Sequence, residues 1–179
     1  QYYYHYFYKE QPDLNLNNPS VQNEIFNIIK FWCDMGVNGI RLDAVSNYIP
    51  CSLFKDNIDS SYNLERQLNT NETMNFIKKI RLHTNSKIKD FVKEELSEDI
   101  LLIGEQNPYF SKTSDEIILL KYLDKLMNFQ FAYLNSIDAE KFKYNLENPK
   151  DNMICFLNNH DVIRNRYGEE NPEIAKIMA

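Results

Sequence analysis

Gly36-Val37-Asn38-Gly39-Ile40-Arg41-Leu42-Asp43-Ala44-Val45 is the stretch whose reading decides the fold. It follows an amphipathic helical pattern, carries two glycines, and then alternates Ile40 and Leu42 with Arg41 and Asp43. Such alternation marks a short strand leaving a turn, with polar side chains at its C-terminal end. Side chains along a strand alternate faces, so Arg41 and Asp43 point the same way. A guanidinium beside a carboxylate keeps it ionised and oriented, as a nucleophilic Asp requires. The same pair also serves as an ordinary ion pair at a strand end, and the spacing alone does not choose between the two.

Upstream, Asn18-Pro19 supplies an N-cap and a proline at the first helical position. Val21, Ile25, Ile28, Ile29 and Trp32 recur at helical spacing, which predicts a helix from Pro19 to about Met35 with one buried stripe, ended by Gly36. Gln11-Pro12-Asp13-Leu14-Asn15, before it, is extended or turning because of its proline. Downstream, the polar stretch from Pro50 to Thr70 reads as a long surface loop. Met74, Ile77, Ile80 and Leu82, then Ile88, Phe91, Val92 and Leu96, predict one long helix, or two with a break near Asn85. Ile100-Leu101-Leu102-Ile103-Gly104-Glu105 is a continuous apolar run ending in a carboxylate, suited to a strand covered on both faces. A helix around Asp115 to Lys125, a strand from Leu126 to Tyr133 and a helix from about Ser136 to Leu146 follow. The run Met153-Ile154-Cys155-Phe156-Leu157 is the fourth strand; it leads into Asn158-Asn159-His160-Asp161, and a last helix begins near Pro172.

Helix and strand therefore alternate throughout, and the economical fold is α/β with a parallel sheet, doubly wound or closed as a barrel. Three of the four strand patterns end in carboxylates, Asp43, Glu105 and Asp161. Parallel strands point the same way, so these three side chains gather at one rim, where both kinds of fold place their sites.

Composition narrows the classes. At 179 residues and 43% hydrophobic, the chain can bury one sizeable core. A net charge of −6 gives no basic footprint for nucleic acid, and no apolar run spans a membrane. The chain opens at Gln1 inside Tyr2-Tyr3-Tyr4-His5-Tyr6-Phe7-Tyr8, which reads as part of a longer polypeptide; a membrane anchor, if there is one, lies outside this segment. Cys33, Cys51 and Cys155 fit neither a zinc site nor a disulfide framework and are expected as buried free thiols. Asn71-Glu72-Thr73 matches a glycosylation sequon, a match expected by chance in so Asn-rich a chain.

Converging carboxylates have two main uses. They hold Mg²⁺ or Ca²⁺, although Arg41 would then stand beside one ligand and His160 suits hard ions poorly. They also cleave glycosides, where one ionised carboxylate is the nucleophile and one protonated carboxyl the general acid. Arg41 favours charge on Asp43, while the apolar run before Glu105 and the nearby negative charges favour its protonated form. Asp161 could then grip sugar hydroxyls and stabilise a positively charged transition state.

Four segments together carry a resemblance: Gln11-Pro12-Asp13-Leu14-Asn15, Gly39-Ile40-Arg41-Leu42-Asp43-Ala44, Ile103-Gly104-Glu105 and Asn159-His160-Asp161. In this order and at these separations the chain resembles the α-amylase superfamily of retaining glycoside hydrolases (glycoside hydrolase family 13), and more narrowly its oligo-1,6-glucosidase and α-glucosidase (maltase) branch. The resemblance implies a (β/α)₈ TIM barrel, incomplete here and comprising about strands four to seven with their helices. Residues 1–18 would be the end of an inserted domain or loop, and residues 19–179 the partial catalytic barrel. It implies Asp43 as nucleophile, Glu105 as general acid/base and Asp161 as transition-state stabiliser. Arg41 would orient Asp43, and His160 would hydrogen-bond the sugar; no metal and no cofactor is implied.

The Gln of Gln11-Pro12-Asp13 is typical of the glucosidase branch, and Ala44 resembles members preferring α-1,4 bonds. Asn38 stands where Asp is usual, and Gln106 where a smaller residue is common, which bears on the aglycone side. The family's earliest motif, an Asp and a His, is not among these residues, and neither Arg164 nor Arg166 can be matched to the substrate-binding Arg. Asp13 is read as a structural turn residue in preference to a calcium ligand. The expected activity is hydrolysis of maltose-like oligosaccharides or sucrose with retention. Trehalose synthase or another transglucosylating relative would use the same residues. A noncatalytic barrel similar to the heavy chain of amino-acid transporters is the rival from another class.

Overall fold

The computed structural model describes residues 3–50, 68–91, 100–106, 113–129, 152–156 and 159–161. They fall into two compact units, Gln1–Asp124 and Lys125–Ala179.

In the first unit, helix α1 spans Pro19–Asp34. The Asn18 side chain accepts from the Ser20 N–H at 2.9 Å, satisfying one of the free donors of the first turn. The helix stops in a Schellman arrangement: the Val37 N–H bonds to the Trp32 carbonyl at 3.1 Å and the Gly36 N–H to that of Cys33 at 2.9 Å. Gly36 carries the required left-handed φ of 92°. Strand β1, Gly39–Leu42, follows directly. Helix α2 covers Asn71–Phe91, β2 Leu101–Gly104 and α3 Thr113–Leu119.

Strands β1 and β2 pair in parallel, with Gly39 opposite Leu101 and Leu42 opposite Gly104. One face of the pair, carrying Leu42 and Leu102, is buried with Ile77 and Ile80 of α2 in the core. Arg81 of α2 ties the lower end of the layer together. Its Nε donates to the Tyr122 carbonyl at 2.8 Å, its Nη1 to that of Ile100 at 3.0 Å, and its Nη2 pairs with Asp124. Asp124 in turn accepts from the Leu102 N–H at 2.7 Å. In the second unit, β3 (Lys125–Asn128) and β4 (Met153–Cys155) also pair in parallel, Leu126 opposite Met153, and the rings of Phe129 and Phe156 meet edge to face at 4.8 Å.

Among the described residues the element order matches the sequence reading, with corrections. The α1 stripe is rotated: Ile29 is buried and Phe26 stacks on His83 at 4.8 Å, while Ile28 and Trp32 are exposed. α1 is apolar on two flanks, so its periodicity admits two phases, and packing against α2 selects the one through Phe26. In α2 Leu82 is likewise exposed, and the helix runs unbroken past Asn85. Helix α3 ends at Leu119, so the segment to Lys125 is turn and strand start instead of helix. β2 is fully covered on one face only: Leu102 is buried, Leu101 exposed. The residues 51–67, the end of the third strand pattern beyond 129, and the helices expected at 136–146 and from 172 lie outside the described residues. No helix among the described residues is long and apolar enough to cross a membrane.

Candidate active site

One step beyond the last paired residues, the β1–β2 register sets Asp43 beside Glu105. The ladder continues there, with the Glu105 N–H on the Leu42 carbonyl at 2.9 Å and the Val45 N–H on the Glu105 carbonyl at 2.8 Å. Arg41, Asp43 and Glu105 therefore share the face opposite Leu42 and Leu102, as a two-residue side-chain period requires. The Arg41 guanidinium forks between the two carboxylates: Nη1 is 2.8 Å from Asp43 Oδ1 and Nη2 is 2.6 Å from Glu105 Oε2. The Ala44 N–H adds a long bond to Glu105 Oε2 at 3.4 Å. Ala44 holds a left-handed backbone (φ 41°), a conformation uncommon for a residue with a Cβ.

The two carboxyls differ in environment. The Asp43 side chain is 74% exposed and the Glu105 side chain 11%. Burial pushes the Glu105 carboxyl above the usual carboxylate range, and a direct hydrogen bond with Asp43 pushes it further; the Arg41 charge and the Ala44 N–H oppose this. Two carboxyls in contact disfavour each other's ionisation, and the more buried one carries the upward shift. Tyr48 stands nearby, its hydroxyl pushed far above its ordinary value by burial first and the Asp43 charge second, and its ring meets Phe76 edge to face.

In the second unit His160 Nε2 is 3.3 Å from Asp161 Oδ2, both side chains being exposed, so His160 is not a core histidine. The Asp161 N–H bonds to Asn159 Oδ1 at 3.0 Å. Asp161 lies six residues beyond the end of β4, a turn residue and not a strand terminus. Asp13 accepts from the Tyr6 N–H at 2.7 Å and its own N–H bonds to the Tyr4 carbonyl, which closes the aromatic turn. Among the described residues no group of three or more His, Cys, Asp or Glu side chains is arranged to hold a metal ion. A cavity of about 350 Å³ lies between the Asp13–Asn17 segment and Tyr48, and neither Asp43 nor Glu105 lines it. Gln106 is 5% exposed. Cys33 is a free, half-buried thiol.

Sequence reasoning passed over Thr70 and Thr73. Thr73 had appeared only as the end of a sequon, yet its side chain is wholly buried and hydrogen-bonded to Ile49. The signal was present as a Thr at the N-cap with another three residues on, a pattern that satisfies helix donors.

Residues 1–170 match the family model described as alpha amylase, catalytic domain. The chain belongs to the α-amylase family. Among curated relatives, a probable oligo-1,6-glucosidase 3 of Bacillus subtilis is 28% identical over 180 residues, covering 90% of this chain and 31% of that protein. The human amino acid transporter heavy chain SLC3A1 is 50% identical over 58 residues, 32% of this chain and 8% of that protein. Among solved structures, trehalose-6-phosphate hydrolase of Bacillus licheniformis superposes with a TM-score of 0.65 at 22% identity, covering 92% of this chain and 31% of that one. An α-glucosyl transfer enzyme superposes with a TM-score of 0.64 at 22% identity, covering 91% of this chain and 33% of that one. The chain thus spans under a third of the curated relatives it matches. The fold is that of an incomplete (β/α)₈ barrel, and the open face carrying Arg41, Leu101 and Ile103 is the one a closed barrel turns inward.

Proposed function

We propose that these residues are the catalytic-centre portion of a retaining α-glucosidase, with residues 1–18 closing an inserted segment and residues 19–179 contributing about strands four to seven. The observation that carries this reading is the Arg41 fork, which sets an exposed, ion-paired Asp43 against a buried Glu105 shifted toward its protonated form. Nucleophile and acid need these opposite states. Asp43 attacks the anomeric carbon while Glu105 protonates the departing glycosidic oxygen. Water then displaces Asp43 from the glucosyl-enzyme, and Glu105 takes the proton of that water. Asp161 stabilises the positive charge that builds on the ring, His160 hydrogen-bonds the bound sugar, and no cofactor enters. The substrate is a maltose-like oligosaccharide or sucrose; a transglucosylating relative such as a trehalose synthase would run the first step identically.

The test uses the full-length protein and an activated aryl α-glucoside. Asp43→Asn forms no glucosyl-enzyme whatever the leaving group. Glu105→Gln still forms it, because an activated leaving group departs without a proton, and then stalls for want of a base. Azide needs no base, so it should rescue Glu105→Gln by displacing Asp43 from the β-linked glucosyl-enzyme and yield an α-glucosyl azide, a product that Asp43→Asn should not give. The transporter-like reading is favoured by the identity to the heavy chain over 58 residues. It gains if the wild type turns over neither maltose, sucrose nor the aryl glucoside.

A further inference from the structure

Five residues separate Asp43 from Ile49, and this short segment is pinned along its length. The Val45 N–H holds the Glu105 carbonyl at 2.8 Å, and the Ser46 carbonyl accepts from the Asn69 N–H at 2.8 Å. Val45, Ser46, Asn47 and Ile49 are all buried. At its far end Ile49 is gripped through both backbone groups by two buried threonines. The Ile49 N–H donates to Thr73 Oγ1 at 2.9 Å, and the Ile49 carbonyl accepts from Thr70 Oγ1 at 2.5 Å with Thr73 Oγ1 within reach at 3.0 Å. Thr70 also caps α2, accepting the Thr73 N–H at 3.1 Å. The cap and the clamp are one hydrogen-bonded unit.

We infer that Thr70 and Thr73 are positioning residues: they fix the turn after the nucleophile, and through Ala44 and Val45 they set how Asp43 stands against Glu105. The physical ground is that buried backbone groups must find partners, and Ile49 finds both on hydroxyls of α2. A hydroxyl removed at Thr73 leaves the Ile49 N–H buried without its acceptor, so the segment relaxes to find another. Ala44 shows the consequence. Its left-handed backbone persists because both flanks are held: Leu42 before it and Val45 after it by the Glu105 backbone, and Ser46 to Ile49 by α2 and the residues before that helix. Displacement there moves a reacting carboxylate directly, and a misplacement of about 1 Å in a reacting geometry costs on the order of a hundredfold in rate.

The inference rests on the glucosidase reading, and the experiment separates the two. In the full-length protein, Thr73→Val removes the hydroxyl at nearly constant volume, Thr73→Ser keeps it, and Thr70→Val removes the other donor to Ile49. Turnover of an aryl α-glucoside, competitive inhibition by glucose and thermal unfolding are measured together, well below the unfolding temperature. Thr73→Val should lose about tenfold or more in kcat, with the glucose inhibition constant held within about twofold and Thr73→Ser close to wild type. Thr70→Val should fall in kcat in the same sense. A Thr73→Val protein that loses melting temperature but keeps wild-type kcat has lost only stability, and the inference is then wrong. Equal damage by Thr73→Ser and Thr73→Val would assign the effect to packing and overturn it equally. A wild type without glucosidase activity would instead sink the functional reading beneath it.

Discussion

Arg41 Nη2 lies 2.6 Å from Glu105 Oε2, closer than the 2.8 Å between Nη1 of the same guanidinium and Asp43 Oδ1. The guanidinium that pairs with Asp43, the proposed nucleophile, therefore also bears on Glu105, the proposed acid. The two effects oppose each other in Glu105: burial and the hydrogen bond with Asp43 raise its pKa, and Arg41 lowers it. A balance of this kind sets the pH at which the acid gives up its proton.

Arg41→Gln should show both sides of that balance. Removing the guanidinium removes a lowering influence, so Glu105 stays protonated to higher pH and the alkaline limb of kcat/KM moves upward. At the same time Asp43 loses its orienting partner, and kcat at the optimum should fall by about a hundredfold. A limb that stays in place, or moves to lower pH, would show that Arg41 does not act on Glu105.

Stability should carry the same signature. A carboxyl with a raised folded pKa binds more protons in the native state than in the unfolded state between the two pKa values. Its contribution is fully present below the ordinary carboxylate range and is lost as pH rises through the folded pKa. Glu105→Gln has no proton to lose at this position. The stability of wild type minus that of Glu105→Gln should therefore decline from acidic to neutral pH. Urea unfolding of both proteins across that range measures the difference, and a flat or rising curve contradicts the raised pKa of Glu105.

The parts of this molecule that were legible in the sequence are those written in local chemistry. Asn18-Pro19 and Gly36 bound α1 because caps and left-handed turns need particular residues. The Arg41–Asp43 pairing followed from strand periodicity alone. What stayed hidden depends on partners distant in the chain. Ile28 and Trp32 have the right spacing for a core stripe, but only the packing of Phe26 on α2 decides the phase. Leu101 belongs to an apolar run, and its exposure comes from standing on the face that a closed barrel encloses. Thr70 and Thr73 looked like ordinary loop and helix residues because their partner is the backbone of Ile49, over twenty residues away.

Arg81 carries a prediction about the scaffold alone. Its side chain is 13% exposed and serves two carbonyls and Asp124 at once. Arg81→Met keeps the aliphatic stem and leaves the Ile100 and Tyr122 carbonyls without this donor. The cost should be about 2–4 kcal/mol in denaturant unfolding, reduced from a fully buried case because Asp124 is partly solvated. The glucose inhibition constant should not move, since none of these groups touches the carboxylate pair. A cost below about 0.5 kcal/mol, the range of ordinary surface substitutions, would mean the clip is replaceable.

The 179 residues expressed by themselves should associate instead of remaining monomeric. Helix α1 and its C-cap Met35 expose Ile28, Phe31, Trp32 and Met35, at 47%, 55%, 52% and 70%. Their spacing of three, four and seven residues places them on one flank of the helix, away from the Phe26 flank that meets α2. Among the described residues β1 pairs with β2 alone, so its other edge is open to a further strand. An apolar helix flank and an open strand edge are both surfaces that water disfavours. Trp32 is the single tryptophan of these residues, so its fluorescence reports on this flank alone. As concentration rises, sedimentation should show growing assemblies, and the emission of Trp32 should move to the blue as the indole leaves water. Substituting Ile28→Glu and Met35→Glu together should suppress both changes while leaving α2 and its core untouched. A wild-type chain that stays monomeric, unfolds cooperatively and keeps an exposed-indole emission at every concentration would show that this flank needs no cover.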